Sequence, residues 1–493
     1  MDSYIMAIDQ GTTSTRAILF DKESNIVGVA QKELDNYYPH SGWVEQNAND
    51  IWASVVGVMF EVLAKTGIKD SQIAAIGITN QRETSVIWDK ETGVPIYFAI
   101  VWQSRQSDAY CVALKEQGKE ELIKEKTGLL LDPYFSASKI RWILDNVEGA
   151  QSRAQNGELL FGTMDTWLLW KLTNGEKHMS DVSNASRTML LNIHTLDYDE
   201  ELLRLWNIPR CILPEIHDTS EAYGVTKGLF DHPIPIASLV GDQQAALFGQ
   251  TCFEAGNVKN TYGTGCFLLM NTKDKIIHSR NGLVTCVGWR IKGEVDYVLE
   301  GSVFVAGAAI QWLRDGLQII AKSSESEERS IKVEDSGGVY VVPSFTGLGA
   351  PYWKPQVKGA MFGLTRGTNQ NHIIRATLES LAYQTNDVLM AMKEDSGLDI
   401  GSMQVDGGAS RNNYLLQFQS DITKTQVVRS TISETTALGA AYLAGLAVGY
   451  WKDKAEIKAQ FKVSNTYLPT MSEIKREENL AGWKKAIHAV MEF

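Results

Sequence analysis

Short apolar runs alternate with polar, turn-forming stretches from the start of the chain. Residues 4–8 (YIMAI) and 16–20 (RAILF) predict two buried strands, and the polar stretch between them, DQGTTST, predicts the turn of a hairpin. Two further strands are predicted at 74–80 and 84–89, followed by a helix around 105–117. Strands that alternate with helices in this way predict an α/β fold.

A second series of elements begins at 233–250, where a strand-like run leads into an aspartate and a helical pattern. The stretch NTYGTGCFLLMNT at 260–272 then repeats the glycine-and-threonine turn between two strand-like runs. Two such hairpins predict two related domains. The alternative is a chance likeness, because hairpins commonly need glycine.

Two later segments have distinct polar patterns. In MQVDGGASRNNYLLQFQSDIT at 403–423 a strand, a Gly-Gly turn and a helix are predicted, and glycine there lets the backbone approach a ligand at a helix N-terminus. The charged segment 323–338 is predicted to be a solvated surface connection.

The length of the chain predicts two large domains. Its 493 residues exceed the roughly 250 to 300 residues at which a single core stops growing. We place the domains at residues 1–250 and 251–493, with a ligand cleft between them.

Composition and charge narrow the class of protein. Hydrophobic residues at 44% and charged residues at 22% are typical of a globular protein. The net charge of −12 argues against a nucleic-acid partner and against an anionic-membrane surface. No run reaches the roughly 18 apolar residues of a membrane span; the uncharged segment 435–451 is predicted to be a buried helix of small residues.

The cellular compartment is predicted from the first residues and the cysteines. MDSYIMAIDQ lacks the basic and long apolar regions of a secretory signal. The five cysteines form no CxxC pair, which favours reduced thiols. Together these features predict a cytoplasmic protein.

The first hairpin carries candidate phosphate chemistry, although the chain has no GxxxxGK[ST] loop and no strand-linked GxGxxG. Glycine in its turn permits close backbone approach, and its hydroxyl residues and Arg16 offer donors and positive charge. Asp9, at the end of the first strand, is a candidate ligand for hydrated Mg²⁺. The alternative for this turn by itself is a solvated hairpin without a ligand.

Several motifs together resemble a known group of ATP-dependent proteins. Asp9 and Asp242 at strand ends, the paired hairpins and the Asp-Gly-Gly turn resemble the sugar kinase, Hsp70 and actin superfamily. Within it, YFSASKIRWILDN at 134–146 and GAMFGLTRGTNQNHIIRATLE at 359–379 resemble the two signatures of the FGGY carbohydrate kinases. The segments ITNQRETSVIWD, AIVWQSRQ, VGDQQAALFGQ, NTYGTGCF and FTGLGAPYW are similar to the glycerol-phosphorylating members.

The resemblance implies a fold and a reaction. The fold is two duplicated ribonuclease H-like (actin-like ATPase) domains with an interdomain active-site cleft. The implied reaction is direct, in-line phosphorylation of glycerol by ATP, with Mg²⁺ as the expected cofactor. It also implies a homodimer or homotetramer.

The resemblance further assigns residues to the acceptor side. Arg82 and Glu83, with Asp242 and Gln243, would hydrogen-bond the hydroxyls of the polyol. Aromatic side chains would pack against its carbons or close one end of its site, and Thr12 would lie at the border with the phosphates. The aromatic residues are Trp102, Tyr134 and Phe267. Asp242 would be the general base, and Arg82 and Arg16 would complete the catalytic set.

Another set is assigned to the nucleotide and the metal. The phosphates would contact Thr12, Thr13, Ser14 and Arg16, with Thr264 of the second hairpin facing them. Gly307 and Gln311 would lie near the ribose and phosphates, and Gly408 and Asn412 at the adenosine end. Mg²⁺ would be held by Asp9, through water, and by Asp242.

Alternatives remain open at several positions. For Arg82 and Glu83 the alternative is a surface ion pair, and for the three aromatic residues it is a place in the core. His232 lies where some relatives carry a histidine phosphorylated by a sugar-uptake phosphocarrier protein, but here it has different neighbours in a shorter loop, so a plain surface histidine is the alternative. The Gly-Gly-Thr-Arg loop that binds fructose 1,6-bisphosphate in some relatives is absent.

Two rival functions also remain. The first is an FGGY kinase for another small polyol or ketose. The second is an actin- or Hsp70-like scaffold that hydrolyses ATP without a small acceptor.

Overall fold

The computed structural model describes residues 3–354 and 356–493. The strands of the first half are β1 Tyr4–Gln10, β2 Ser14–Phe20, β3 Ile26–Glu33, β4 Glu45–Gln46, β5 Ile73–Asn80, β6 Val86–Asp89, β7 Ala99–Ile100, β8 Leu159–Gly162, β9 Met179–Asp181, β10 Leu191–Asn192, β11 Asp197–Tyr198, β12 Glu215–His217, β13 Ser220–Val225 and β14 Pro235–Gly241. Its helices are α1 Ala48–Thr66, α2 Asp108–Glu116, α3 Glu120–Thr127, α4 Ser136–Asn146, α5 Ala150–Gln155, α6 Met164–Leu172, α7 Val182–Ala185, α8 Glu200–Trp206 and α9 Asp242–Gly249.

The strands of the second half are β15 Val258–Tyr262, β16 Cys266–Lys273, β17 Val284–Ile291, β18 Glu294–Val303, β19 Tyr340–Val342, β20 Ala360–Phe362, β21 Ser402–Gly407, β22 Gln426–Ser430 and β23 Val463–Tyr467. Its helices are α10 Gly307–Asp315, α11 Glu325–Ser330, α12 Gln370–Ser396, α13 Asn413–Thr423, α14 Thr435–Ala447, α15 Lys454–Gln460 and α16 Glu473–Glu492. Short 3-10 helices lie at Asp70–Gln72, Arg210–Ile212 and Gly408–Arg411.

Two large sheets share one topology. The first has the order β13-β14-β5-β1-β2-β3, and the second has the order β17-β18-β16-β15-β21-β22-β23. In the first, β1, β2 and β3 are antiparallel neighbours, while β1, β5 and β14 are parallel. In the second, β15, β16 and β18 are antiparallel neighbours, while β15, β21 and β22 are parallel. The duplicated α/β fold expected from the hairpins is confirmed.

Both hairpins form where the sequence predicts them. Asp9 pairs with Arg16 across β1 and β2, and Thr261 pairs with Phe267 across β15 and β16. The strand pairs β1–β2 and β15–β16 occupy corresponding places in the two sheets. The two turns are therefore structural counterparts.

A helix of the second half packs on the first sheet. Helix α14 lies against α9 and against β1, β5 and β14. A Cβ atom at Gly439 would lie 1.8 Å from the carbonyl oxygen of Ala245, so the two helices meet backbone to backbone. The small residues of 435–451 thus serve close packing, and its prediction as a buried helix is confirmed. Within the described residues, we find no helix with the length and apolar character to cross a bilayer.

Most of the charged segment 323–338 is exposed, as predicted for a solvated surface connection, but part of it also packs on the protein. It contains α11, in which Ser326 and Ser330 are buried. Arg375 of α12 donates hydrogen bonds to the carbonyl oxygens of Ser330 and Val333. The tertiary contacts, which the charge pattern does not show, hold this segment against the long helix.

Candidate active site

Carbonyl oxygens in the turn of the first hairpin accept hydrogen bonds from buried side-chain amides. Gln46 donates to the carbonyl oxygen of Thr12 at 2.6 Å, and Gln10 donates to that of Gly11 at 2.7 Å. The backbone N–H of Leu34 donates to the carbonyl oxygen of Thr13. Within the described residues, nothing accepts from the backbone N–H groups of Thr12 and Thr13. The turn therefore has its carbonyls occupied and the N–H groups of Thr12 and Thr13 free, as an anion site requires.

The second hairpin is joined to the start of α10. Gly307 donates from its backbone N–H to Gly263 at 3.0 Å, and the next residue donates to the carbonyl oxygen of Thr264. A Cβ atom at Gly307 would lie 2.5 Å from the carbonyl oxygen of Gly263, so only glycine permits this approach. Thr264 and Gln311 are exposed. The structure thus brings Thr264 and Gly307 together, with Gln311 one helical turn further along.

Three acids and one arginine surround the end of β1. Burial raises the pKa of Asp9 to about 7; Arg16 opposes that rise, and Asp242 and Glu434 add to it. Nη1 of Arg16 lies 2.5 Å from Oε2 of Glu434, a residue that the sequence did not single out. Asp242 begins α9 at the end of β14.

These acids fit a hydrated magnesium ion. Burial raises the pKa of Asp9, and the carboxylate of Asp242 raises it further. A cation beside the two carboxylates would offset both the cost of burying the charge of Asp9 and its repulsion by Asp242. Within the described residues there is no cluster of three or more histidine, cysteine or carboxylate side chains able to hold a metal by itself. Mg²⁺ commonly binds through one or two carboxylates plus water and substrate phosphates, which matches this pair.

Four charged residues, two of them Arg82 and Glu83, form a buried square. Arg82 donates from both terminal nitrogens to Glu300, at 2.6 and 2.9 Å. Nε of Arg187 lies 2.5 Å from Glu83, and its Nη2 lies 3.2 Å from Glu300. None of the four is more than 3% exposed. The alternative of a surface ion pair for Arg82 and Glu83 is therefore wrong.

The square reaches the candidate base. Nε of Arg82 lies 3.3 Å from Oδ1 of Asp242, whose side chain is partly exposed. Burial opposes the charge of Glu300, but Arg187 and Arg82 outweigh burial and lower the pKa of Glu300 to about 2. Glu300 thus stays ionised and holds Arg82 in place beside Asp242.

Three aromatic side chains line the space next to the square. Nε1 of Trp102 donates to Oγ1 of Thr12 at 2.9 Å. The ring of Trp102 lies 5.5 Å from that of Tyr134 and 6.4 Å from that of Phe267, measured between centroids. The Arg187 guanidinium lies 5.2 Å from the Tyr134 ring centroid. Trp102, Tyr134 and Phe267 are partly buried, so they form a wall between the hairpins rather than a sealed core.

The two residues assigned to the nucleotide in and after the Asp-Gly-Gly turn, Gly408 and Asn412, differ in exposure. Gly408 is exposed, and a Cβ atom there would meet no atom of the described residues within 4 Å. Asn412 is buried and caps α13: it accepts from the backbone of Leu415 at 2.9 Å and donates to Ser326 at 3.3 Å. The side chain of Asn412 is therefore engaged within the protein, which leaves its assigned nucleotide contact a prediction.

His232 lies outside this constellation. It is exposed in the turn between β13 and β14, and its backbone N–H donates to Asp70 at 2.9 Å.

Sequence reasoning missed several charged residues of the site: Arg187, Lys259, Glu300 and Glu434. For two of them a signal exists in the sequence. Glu300 lies in the apolar run YVLEGSVFV, and Lys259 lies in the strand VKNTY. A single charge within a buried strand is costly unless it has a partner, so each indicates a specific contact elsewhere in the fold.

Comparison with known proteins agrees with this arrangement. Residues 4–249 match the N-terminal domain of the FGGY family of carbohydrate kinases, and residues 258–448 match its C-terminal domain. A glycerol kinase of Geobacillus sp. (strain WCH70) is 59% identical, and the alignment covers 100% of both chains. A glycerol kinase of Clostridium beijerinckii is 61% identical over 99% of this chain and 98% of its own.

A solved structure gives the same result. The crystal structure of Plasmodium falciparum glycerol kinase with ADP superposes with a TM-score of 0.94 at 35% identity, covering 99% of this chain and 98% of that one. By sequence and by fold, the chain belongs to the FGGY family of carbohydrate kinases.

Proposed function

We propose that the protein transfers the γ-phosphoryl group of ATP to glycerol and forms sn-glycerol 3-phosphate. The observation that carries this proposal is the contact of Arg82 with Asp242 between the two hairpins. This contact supports a role for Arg82 in binding a hydroxyl of the acceptor beside the candidate base. The full-length likeness to relatives named glycerol kinase supports glycerol as the acceptor.

The acceptor site suits a short polyol. Buried charged donors and acceptors reject a molecule without matching hydroxyls far more strongly than an apolar pocket does. Arg82 and Glu83 provide such groups, and Gln243 adds an amide. Trp102 and Phe267 offer apolar surface to the carbon chain.

Proton removal is the role we assign to Asp242. Its carboxylate takes the proton from the hydroxyl that attacks the γ-phosphorus, while Arg82 fixes the direction of the carboxylate. The bond from that hydroxyl oxygen to phosphorus forms as the bond to the leaving ADP oxygen breaks.

The phosphates would be bound by the free donors of the first turn. Thr12, Thr13 and Ser14 offer N–H and hydroxyl groups, and Arg16 offers positive charge once it leaves Glu434. Thr264 contributes from the facing turn. Mg²⁺, held by Asp242 and through water by Asp9, would supply neutralisation of phosphate charge.

An assay of ADP release with a panel of acceptors tests this proposal. We expect release to depend on glycerol and to be much slower with longer polyols, xylulose, gluconate or water alone. A faster reaction with another polyol or ketose would replace glycerol as the substrate. ADP release that no acceptor stimulates would contradict the kinase and favour an ATP-driven scaffold.

Three further expectations stay predictions: a cytoplasmic location, a homodimer or homotetramer, and phosphorylation of His232. The exposure of His232 permits modification. Incubation with a phosphocarrier protein and phosphoenolpyruvate tests it, since an unlabelled His232 would exclude this regulation. Light scattering on the purified protein tests the oligomer.

A further inference from the structure

Lys259 is a buried lysine between the two sheets. It lies on β15, where successive side chains point to opposite faces of the sheet. Asn260 and Tyr262 bond to Thr385 and Gln419 on one face. Lys259 therefore lies on the other face, where it reaches α9 of the first half.

Among the residues that the structure describes, the ammonium group of Lys259 has only neutral partners. Its Nζ donates to Oε1 of Gln243 at 2.5 Å and to Oγ1 of Thr261 at 2.9 Å. The side chain is fully buried, and within the described residues no carboxylate lies at ion-pair distance from it. Burial lowers the pKa of Lys259 to about 8, although Asp406 and Asp242 oppose that shift. A buried charge without an ion pair destabilises a fold, so packing alone does not explain the residue.

The lysine decides which way the Gln243 amide faces. An ammonium group has three donors and no acceptor, so only the oxygen of the amide can face it. Nε2 of Gln243 must then face away from Lys259. Gln243 follows Asp242 at the start of α9 and is partly exposed. Within the described residues, nothing accepts a hydrogen bond from this Nε2.

We propose that Lys259 is a positioning residue that fixes the Gln243 amide so that Nε2 donates to a hydroxyl oxygen of the acceptor. The inference rests on the proposed function, because it names the acceptor as a polyol. A hydroxyl that accepts from Gln243 keeps its own proton for a carboxylate acceptor such as Asp242. Lys259 thereby sets the direction of a hydrogen bond without touching the substrate.

The substitution Lys259→Met tests this role because it removes the charge and the donors and keeps the length of the side chain. The amide of Gln243 is then free to turn. We expect the KM for glycerol to rise about 3- to 10-fold, the scale of one neutral hydrogen bond. The KM for ATP should stay within about twofold. Lys273→Met, on the neighbouring strand and paired with Asp296, is the control and should leave both constants unchanged.

A second background separates positioning from general damage. In Gln243→Leu, the amide is absent, so adding Lys259→Met should raise the KM for glycerol by less than about twofold more. The same rise in both backgrounds, or an unchanged KM in Lys259→Met alone, would overturn the proposal. If the methionine variant does not fold, Lys259→Gln, which keeps one donor for Gln243, replaces it and should give an intermediate KM.

The outcome is distinguishable from failure of the proposed function. A wild-type protein that phosphorylates another polyol would refute glycerol, and the same cycle is then run with that polyol. A wild-type protein that phosphorylates no polyol refutes both the function and the inference.

Discussion

Asp242 owes its position to the chain on both sides of it. A buried strand ends directly before it, α9 begins with it, and Arg82 contacts its carboxylate at 3.3 Å. The sequence indicates the first two of these features, because an acid between an apolar run and a helical pattern is visible. The sequence indicates the contact with Arg82 only in part. The resemblance points to Arg82, but Glu300, which holds it, is 218 residues away in the chain.

Replacing Asp242, the proposed base, gives the first prediction. Asp242→Asn keeps the size of the side chain but cannot accept the proton, so kcat should fall roughly 10²- to 10⁴-fold. The KM for glycerol should change only modestly, and steady-state kinetics measure both constants. Asp197→Asn, in an exposed ion pair, serves as control. A kcat close to that of the wild type would refute the assignment.

Replacing the hairpin arginine gives the second prediction. Arg16→Ala removes the fixed charge from the turn proposed to bind phosphate, so we expect a raised KM for ATP and a lowered kcat. Glycerol binding, measured by calorimetry without nucleotide, should stay nearly intact. Arg210→Ala removes an exposed arginine elsewhere and should leave the kinetics unchanged. Equal losses of ATP and glycerol binding would show that Arg16 supports the whole cleft instead.

Among the elements, the strands were the most predictable. Short, continuous apolar runs located β1, β2 and β5, because such a run is enough to indicate a buried strand. Helix α11 was missed, because its charged sequence shows no apolar stripe and its contacts with α12 and α13 are tertiary. Helix α14 was predicted as buried, but its contact with the first sheet depends on tertiary packing.

The backbone contact between α14 and α9 gives the third prediction. A methyl group at Gly439 would lie 1.8 Å from the Ala245 carbonyl oxygen, and overpacking of this kind costs about 1 to 3 kcal/mol or more. Gly439→Ala should therefore lower the Tm of thermal unfolding. Gly57→Ala is the matched control, because that glycine lies exposed within α1 with no atom within 4 Å of its added methyl group. If both variants unfold at the same temperature, the helices do not meet as described.

At the scale of the whole molecule, the square of charges joins the two halves. Arg82 and Glu83 come from the first half, and Glu300 comes from β18 of the second sheet. The paired hairpins let the sequence predict that two domains exist. The sequence did not predict which charges meet between them, because each partner lies far along the chain from the other.

Removing the central acid gives the fourth prediction. Glu300→Gln leaves two buried guanidinium groups without their shared counter-charge, and breaking a buried pair costs about 3 to 5 kcal/mol. We expect a lower Tm and a reduced kcat/KM at pH 7. Asp197→Asn, which breaks an exposed pair, should change the Tm little.

The difference in stability between the wild type and Glu300→Gln depends on pH through the pKa of Glu300. The folded-state pKa of Glu300, about 2, lies below the usual value of about 4.3 for a glutamate. Its charge therefore stabilises the fold above the usual pKa, and this contribution is lost as the pH falls from about 4.3 towards 2. Thermal unfolding between pH 7 and pH 3 should show the wild type approaching Glu300→Gln. A gap that stays constant over this range would contradict the assignment.

The most direct test of the account is ³¹P NMR of the protein with ATP, Mg²⁺ and glycerol. We predict that the γ-phosphate signal is lost only when glycerol is present, and that a phosphate ester of a terminal glycerol hydroxyl replaces it. With Asp242→Asn, the same conversion should be slower by the factor given above. Release of inorganic phosphate without glycerol, with no ester formed, would contradict the claim that this cleft transfers phosphate to a polyol.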